Sequence, residues 1–301
     1  MLLDRLAEDL RLKPEYIELV ARTASHRYKT YSIPKKNGGL RTIHHPAREL
    51  KLMQSWLVEK VFARFPVHRA ATAYKKGASI LLNATRHKKN NYLLKVDFEN
   101  FFPSITGPDI VQLFQKSTLA GTRRIFSLPE VEFIRQIVCR GDRLTIGAPS
   151  SPMISNIVMF EFDNNQAAYC RNHDIVYSRY ADDLYFSTNA PQILGTLLDK
   201  LRHDLAVQKS PILRINEKKT VFTSRKRRRI VTGLVLTPTG VVSLGRQRKR
   251  FIRSLVFKKS LHNLSPEYLG LLRGLIAYAR SIEPEFIESL RKKYGAGMVD
   301  N

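Results

Sequence analysis

Two aspartates stand side by side at Asp182 and Asp183, inside SRYADDLYFS, and a third, Asp97, ends the run YLLKVD. Adjacent carboxylates repel strongly in a partly dry site. A lone Asp pair in a turn is ordinarily a solvated feature. Here the flanks, IVYSRYA and LYFS, are rich in β-branched and aromatic residues, so the turn is embedded in a core sheet. An oxygen-only cluster suits hard divalent cations, magnesium with manganese as a substitute. Two such ions ~4 Å apart can activate an attacking oxygen and stabilise a leaving one.

The elements that must position these groups follow from periodicity. YLLKVDF (92–98) predicts a buried strand. Helices are predicted over 108–118, 130–139 and 151–171, strands over 175–180 and 184–188, a helix over 191–207, and a strand at ILRIN (212–216). The order reduces to βαββαβ, a ferredoxin-like sheet whose first and third strands are central neighbours. Asp97 would then face the Asp182–Asp183 turn.

Upstream, residues 1–26 predict two short helices, the second opened by Pro14, and 28–46 a hairpin with Gly38 and Gly39 at its tip. A helix is predicted from about 47 to 65. Downstream come short strands at 220–224, 230–236 and 241–244, then a basic helical region over 246–301, with Pro266 and Pro284 near helix starts.

Charge narrows the partner. Lys and Arg number 51 against 26 Asp and Glu, a net +25 and a pI near 10.2. Such an excess points to a polyanion. Nucleic acid is favoured over a membrane surface, because no isolated basic amphipathic helix is visible. No apolar run approaches the ~20 residues of a membrane span. The acidic, amphipathic N-terminus is unlike a secretory signal. Cys139 and Cys170 form neither a disulfide framework nor a metal-ligand spacing, so a cytoplasmic protein with buried thiols is expected.

YADD resembles the signature of reverse transcriptases, and it does not stand alone. KVDFENFFPSI (95–105) resembles the strand that brings the first metal-binding aspartate. GAPSSPMISNIV (147–158) resembles the loop and helix under nucleotide and template. INEKKT (215–220) resembles the later lysine motif, and IPKKNGGLRTIHHP (33–46) the fingers hairpin. All occur in family order. NATRH, with Asn83, Ala84 and His87, and VTGLVL (231–236) resemble strings of retron reverse transcriptases in particular.

The resemblance implies an α+β, right-hand polymerase fold: N-terminal helices and fingers over 1–91, a ferredoxin-like palm over 92–245 with fingers elements inserted at about 108–146, and a helical thumb over 246–301. It implies an RNA-directed DNA polymerase, a nucleotidyltransferase, with Asp97, Asp182 and Asp183 holding two magnesium ions. Lys35, Lys36 and Arg41 would hold the triphosphate, since Arg in particular binds phosphate bidentately. Phe102, five residues after Asp97, would exclude a 2′-hydroxyl; plain core packing is its ordinary alternative. Lys219, with Lys218 as competitor, would approach the leaving pyrophosphate. Gly147, Ala148 and Pro149 would bring backbone close to the nucleotide. Ile146 stands where a glutamine is usual, which removes an expected polar contact. Asn83 and His87 would belong to RNA recognition and to folding around the fingers. Arg227, Arg228, Thr232 and Gly233 would touch nucleic-acid backbone, and Arg248, Lys249 and Arg250, on the basic face of a helix, would grip an RNA stem by shape.

By the same resemblance the primer is a guanosine 2′-hydroxyl in a cognate structured non-coding RNA, and the product is branched multicopy single-stranded DNA, held for a time as an RNA–DNA hybrid. Deoxynucleoside triphosphates are substrates, a host RNase H trims the template, and a separate effector completes an anti-phage system. The rivals are a group II intron or diversity-generating reverse transcriptase, an RNA-binding scaffold that restrains an effector and, more distantly, an RNA-directed RNA polymerase.

Overall fold

A computed structural model describes residues 1–35, 38–116 and 126–300. Helices α1 (Leu2–Leu10) and α2 (Pro14–Arg22) open the chain, with Pro14 at the first turn of α2 as predicted. Strands β1 (Tyr28–Pro34) and β2 (Leu40–Pro46) form the expected hairpin, pairing from Tyr28 with Pro46 to Pro34 with Leu40. The long helix expected after it is shorter: α3 (Arg48–Trp56) passes into a π turn at Leu57–Val61 and a 3-10 turn at Phe62–Arg64. The apolar stripe of Leu50, Met53, Leu57 and Val61 is nonetheless buried along its length.

Helix α4 (Ile80–His87) leads into β3 (Tyr92–Asp97). Then come α5 (Phe101–Ser104), α6 (Gly107–Lys116), α7 (Leu128–Val138), α8 (Ser151–Val158) and α9 (Phe160–Asn172). Strands β4 (Val176–Tyr180) and β5 (Asp183–Thr188) bracket the acidic turn, and α10 (Ile193–Val207) follows. The fourth palm strand is not 212–216. That segment crosses the end of β3, with Asn216 N donating to Asp97 O and Glu99 N to Arg214 O. The ladder position belongs to β6 (Val221–Ser224), which pairs with β3. The sheet order β4-β5-β3-β6, antiparallel throughout, is the ferredoxin-like arrangement with first and third strands central.

Strands β7 (Arg229–Val231) and β8 (Leu234–Leu236) are a tight hairpin turning at Thr232 and Gly233, both at positive φ, so the single strand expected over 230–236 is two. With β9 (Val242–Ser243) they make a three-stranded sheet. Helices α11 (Arg246–Ser260), α12 (Pro266–Ile282), α13 (Pro284–Tyr294) and α14 (Ala296–Asp300) complete the chain, with Pro266 and Pro284 opening their helices.

Alternation along β3 divides the protein into two cores. Leu94, Val96 and Phe98 point into the main core with α1 to α3 and α7 to α10. Leu93 points the other way, into a second core that β7 to β9 share with α4 and α11 to α13. Asp97 lies on the Leu93 side, at the mouth between them.

Candidate active site

The two central strands bring the acidic groups together. Asp97 is the cross-strand partner of Asp183, and directly opposed residues project to the same face of a sheet. Phe98 N donates to Asp182 O at 3.1 Å, which seats the turn against the end of β3. The turn between β4 and β5 holds only Ala181 and Asp182. Ala181 is buried with φ of 58°, a left-handed conformation that costs an L-residue roughly 1–2 kcal/mol.

Electrostatics at the turn are unfavourable to ionised carboxylates. Burial raises the Asp182 pKa, and Asp183 and Asp97 add to the rise. Burial also raises Asp183, against the opposing pull of Lys95. Lysines face these groups: Lys95 Nζ lies 2.7 Å from Asp183 Oδ1, and Lys219 Nζ donates to Asp97 Oδ1 at 2.9 Å and Oδ2 at 3.2 Å. Lys219 rather than Lys218 therefore meets the acidic cluster, and that bond raises its own pKa. Tyr185 Oη donates to Asp183 Oδ2 at 3.0 Å and accepts from Thr232 N at 3.1 Å. No three acidic, His or Cys side chains among the described residues converge on one point; positive charge comes from the lysines instead. Carboxylates on adjoining strand ends, where burial disfavours their negative charge, are the donor type that suits a hard divalent cation.

Beside Asp183 opens a cleft of about 480 Å³, lined in part by Lys95, Tyr185, Arg228, Thr232 and Gly233. Arg227 and Arg228 are exposed. Thr232 Oγ1 donates to Ile80 O at 3.0 Å, tying the β7–β8 turn to α4. In α11, Arg250 is exposed, Arg248 Nη1 donates to Tyr278 Oη at 3.1 Å, and Lys249 pairs with Glu283 at 2.8 Å. Lys249, expected at RNA, is thus already paired inside the helical region.

Asn83 and His87 need correcting. Both are fully buried. His87 bridges Ser187 Oγ and Ser178 Oγ at 2.7 Å each, and Ser178 Oγ donates to Asn83 Oδ1 at 2.6 Å. Burial pushes the His87 pKa down to about 3, so the ring is neutral. These side chains fasten α4 to the palm sheet, and neither is open to an RNA contact.

On the fingers side, Lys35 and Arg41 are exposed, and Lys36 lies outside the described residues. Gly147, at φ of 111°, approaches the hairpin rather than open space: a Cβ there would sit 2.5 Å from His44 O. His44 N donates to Ile146 O at 2.8 Å, so Ile146 serves through its backbone. Ala148 is buried and Pro149 half-buried. Phe102 is half-buried in the turn of α5, its ring centroid 5.5 Å from Phe101 and 6.4 Å from Tyr74. Tyr74 has a raised pKa, from burial first and Asp182 second, opposed by Arg41. Tyr74, Lys95 and Tyr185 are site residues that sequence reasoning missed. Lys95 was recoverable, since it lies two residues before Asp97 on the same strand face.

Residues 33–271 match the family described as "Reverse transcriptase (RNA-dependent DNA polymerase)". The chain belongs to the reverse transcriptase family. Among curated relatives, this reverse transcriptase is 43% identical to "Retron Ec83 reverse transcriptase" of Escherichia coli, over 93% of this chain and 91% of that one. It is 36% identical to "Retron Ec73 reverse transcriptase" over 88% and 86%, and 30% identical to "Retron Ec86 reverse transcriptase" over 96% and 89%, both of Escherichia coli. It is therefore an RNA-directed DNA polymerase of retron type. Apo telomerase from Candida tropicalis shares its fold, with a TM-score of 0.51 at 15% identity over 91% of the reverse transcriptase and 58% of the telomerase chain. The fold is α+β, a right-hand polymerase with a ferredoxin-like palm. No helix among its described residues is long and apolar enough to cross a membrane.

Proposed function

We propose that this reverse transcriptase copies a cognate structured non-coding RNA, beginning from the 2′-hydroxyl of a guanosine, and so makes branched multicopy single-stranded DNA. The cross-strand placement of Asp97 against Asp183, with Asp182 at the turn, carries the proposal. Asp97, Asp182 and Asp183 would hold two divalent ions, magnesium with manganese as a substitute. When bound, the ions supply positive charge to the attacking oxygen, the transferred phosphoryl group and the leaving pyrophosphate.

The chain's own residues do the rest. Lys219, 60% exposed, can swing away from Asp97 and present its ammonium to the leaving pyrophosphate. Lys35, Lys36 and Arg41 hold the triphosphate from the hairpin. Phe102, backed by Phe101, stands under the sugar and rejects a 2′-hydroxyl through its fixed position. Gly147 lets the 147–149 loop lie flush against β2, which sets the nucleotide platform. Thr232 and Gly233 face the primer strand, and Arg227, Arg228, Arg248 and Arg250 grip phosphates. We assign fingers to 1–91 with 108–146, palm to 92–245 and thumb to 246–301. By its retron kinship, the protein works with a separate effector in anti-phage defence and leaves template trimming to a host RNase H.

The test is product analysis. Purified protein, RNA transcribed from DNA flanking its gene, magnesium and deoxynucleotides should yield DNA joined to RNA through a 2′–5′ link that debranching enzyme releases. DNA extended only from an ordinary 3′-end would overturn the priming assignment and favour a group II intron or diversity-generating mode.

A further inference from the structure

Beneath the acidic turn lies a charge that the chemistry above does not use. Arg179 belongs to β4, two residues before Ala181, and its side chain points into the main core together with Tyr177. It is fully buried, and so is its partner Asp163 on α9. Arg179 Nε donates to Asp163 Oδ1 at 2.9 Å and Nη2 to Oδ2 at 2.6 Å, while Tyr177 Oη donates to Oδ1 at 2.7 Å. The remaining nitrogen, Nη1, donates to Ala181 O at 3.1 Å.

That last bond is the informative one. Ala181 O belongs to the peptide that links the left-handed residue to Asp182, so the guanidinium holds the strained step from below. The backbone of Arg179 is pinned as well: its N donates to Ala70 O at 2.8 Å, and its O accepts from Thr72 N at 2.7 Å and Thr72 Oγ1 at 2.9 Å. Asn156 on α8 donates to Ala73 O at 2.9 Å, beside Tyr74. One rigid framework therefore joins α8, α9, the 70–74 segment and the turn.

Stability alone is a poor account of such a pair. Desolvating two ions can cost more than their attraction returns, and well-packed apolar residues often do as well. A planar fork, however, can fix an anion and a carbonyl in one geometry, which an apolar side chain cannot.

We propose that Arg179, oriented by Asp163, is a positioning residue that fixes the Ala181–Asp182 peptide in the conformation needed for cation binding at the turn. The proposal rests on the assignment of Asp182 as a cation ligand. Arg179 touches neither substrate nor ion; it acts through the peptide.

Two variants test it. In Arg179→Lys the cation facing Asp163 is kept, but an ammonium has no fork to reach both acceptors. In the neutral variant Arg179→Met, Asp163→Leu and Tyr177→Phe are added, so no buried charge or hydroxyl is orphaned. Hydrogen exchange of metal-free protein is followed across residues 179–184, with 92–97 as internal reference. DNA synthesis is titrated with magnesium in parallel. Expected are about tenfold or faster exchange confined to the turn, and an about tenfold or greater rise in the magnesium needed for half-maximal rate, with RNA affinity unchanged. Wild-type turn exchange and magnesium requirement in Arg179→Lys would overturn the proposal, as would exchange that quickens equally at 92–97. Should the neutral variant fail to fold, Arg179→Lys decides alone. Continued DNA synthesis by Asp182→Asn would instead remove the ligand assignment, a separate failure.

Discussion

At Asp182 and Asp183 the physical problem is negative charge that burial resists. A carboxylate whose pKa rises on folding binds its proton more tightly when folded. Its stabilising contribution is complete below the unfolded carboxylate pKa of about 4 and is lost as pH rises through the folded value. Metal-free protein should therefore lose stability from these groups between acid and neutral pH. Asp182→Asn in EDTA is expected to melt higher than wild type at pH 7, by roughly 2 °C, with the gap closing toward pH 4. Magnesium should raise the wild-type Tm and leave the variant's unmoved. Calorimetry checks this, and a variant that melts lower at neutral pH would contradict it. Phe102 offers a second residue-scale prediction. Phe102→Ala should relax discrimination against ribonucleotides by roughly 10–100-fold, read from single-nucleotide incorporation; unchanged selectivity would return Phe102 to core packing.

Among the elements, the close seating of the 147–149 loop on β2 depends on one missing side chain. Gly147→Ala puts a Cβ into His44 O at an unfavourable φ, so it should cost about 1–3 kcal/mol and weaken nucleotide binding, seen as a lower Tm and a higher KM for deoxynucleotides. Much at this scale was legible beforehand. YLLKVD and the two runs around Asp182 announce central strands because their apolar residues must be buried on a sheet. The error at 212–216 has a local cause. ILRIN alternates like a strand, yet Ile212 is exposed and the backbone bonds of 214 and 216 go to the end of β3. The break at Thr232 and Gly233 is masked by its flanks, since Ile230, Val231 and Leu234 to Leu236 read together as one strand, although Gly233 is itself a turn signal. Asn83 and His87 misled for a different reason. Polar residues suggest a surface contact, and only the fold reveals Ser178 and Ser187 waiting to bond them. Arg179 was invisible as a core residue because no sequence pattern pairs it with Asp163.

For the whole molecule, a net charge of +25 surrounds an acidic centre, and it dictates how RNA is held. Affinity for RNA should fall steeply between roughly 50 and 200 mM salt as counterions are released on binding. Replacing Arg227 or Arg228 by Gln should lower the log–log salt slope by about 1. Substituting His87 should lower the Tm and leave the slope intact, since its ring is enclosed. Filter binding across a salt series separates the two behaviours, and a reduced slope for the His87 variant would restore it to the RNA surface.

Asp182→Asn combined with Asp183→Asn, assayed for template copying with a structured RNA, magnesium and deoxynucleotides, tests the acidic site most directly. DNA synthesis should vanish while RNA affinity stays at the wild-type value. DNA made by that double variant at a rate near wild type would contradict the role of these aspartates in catalysis.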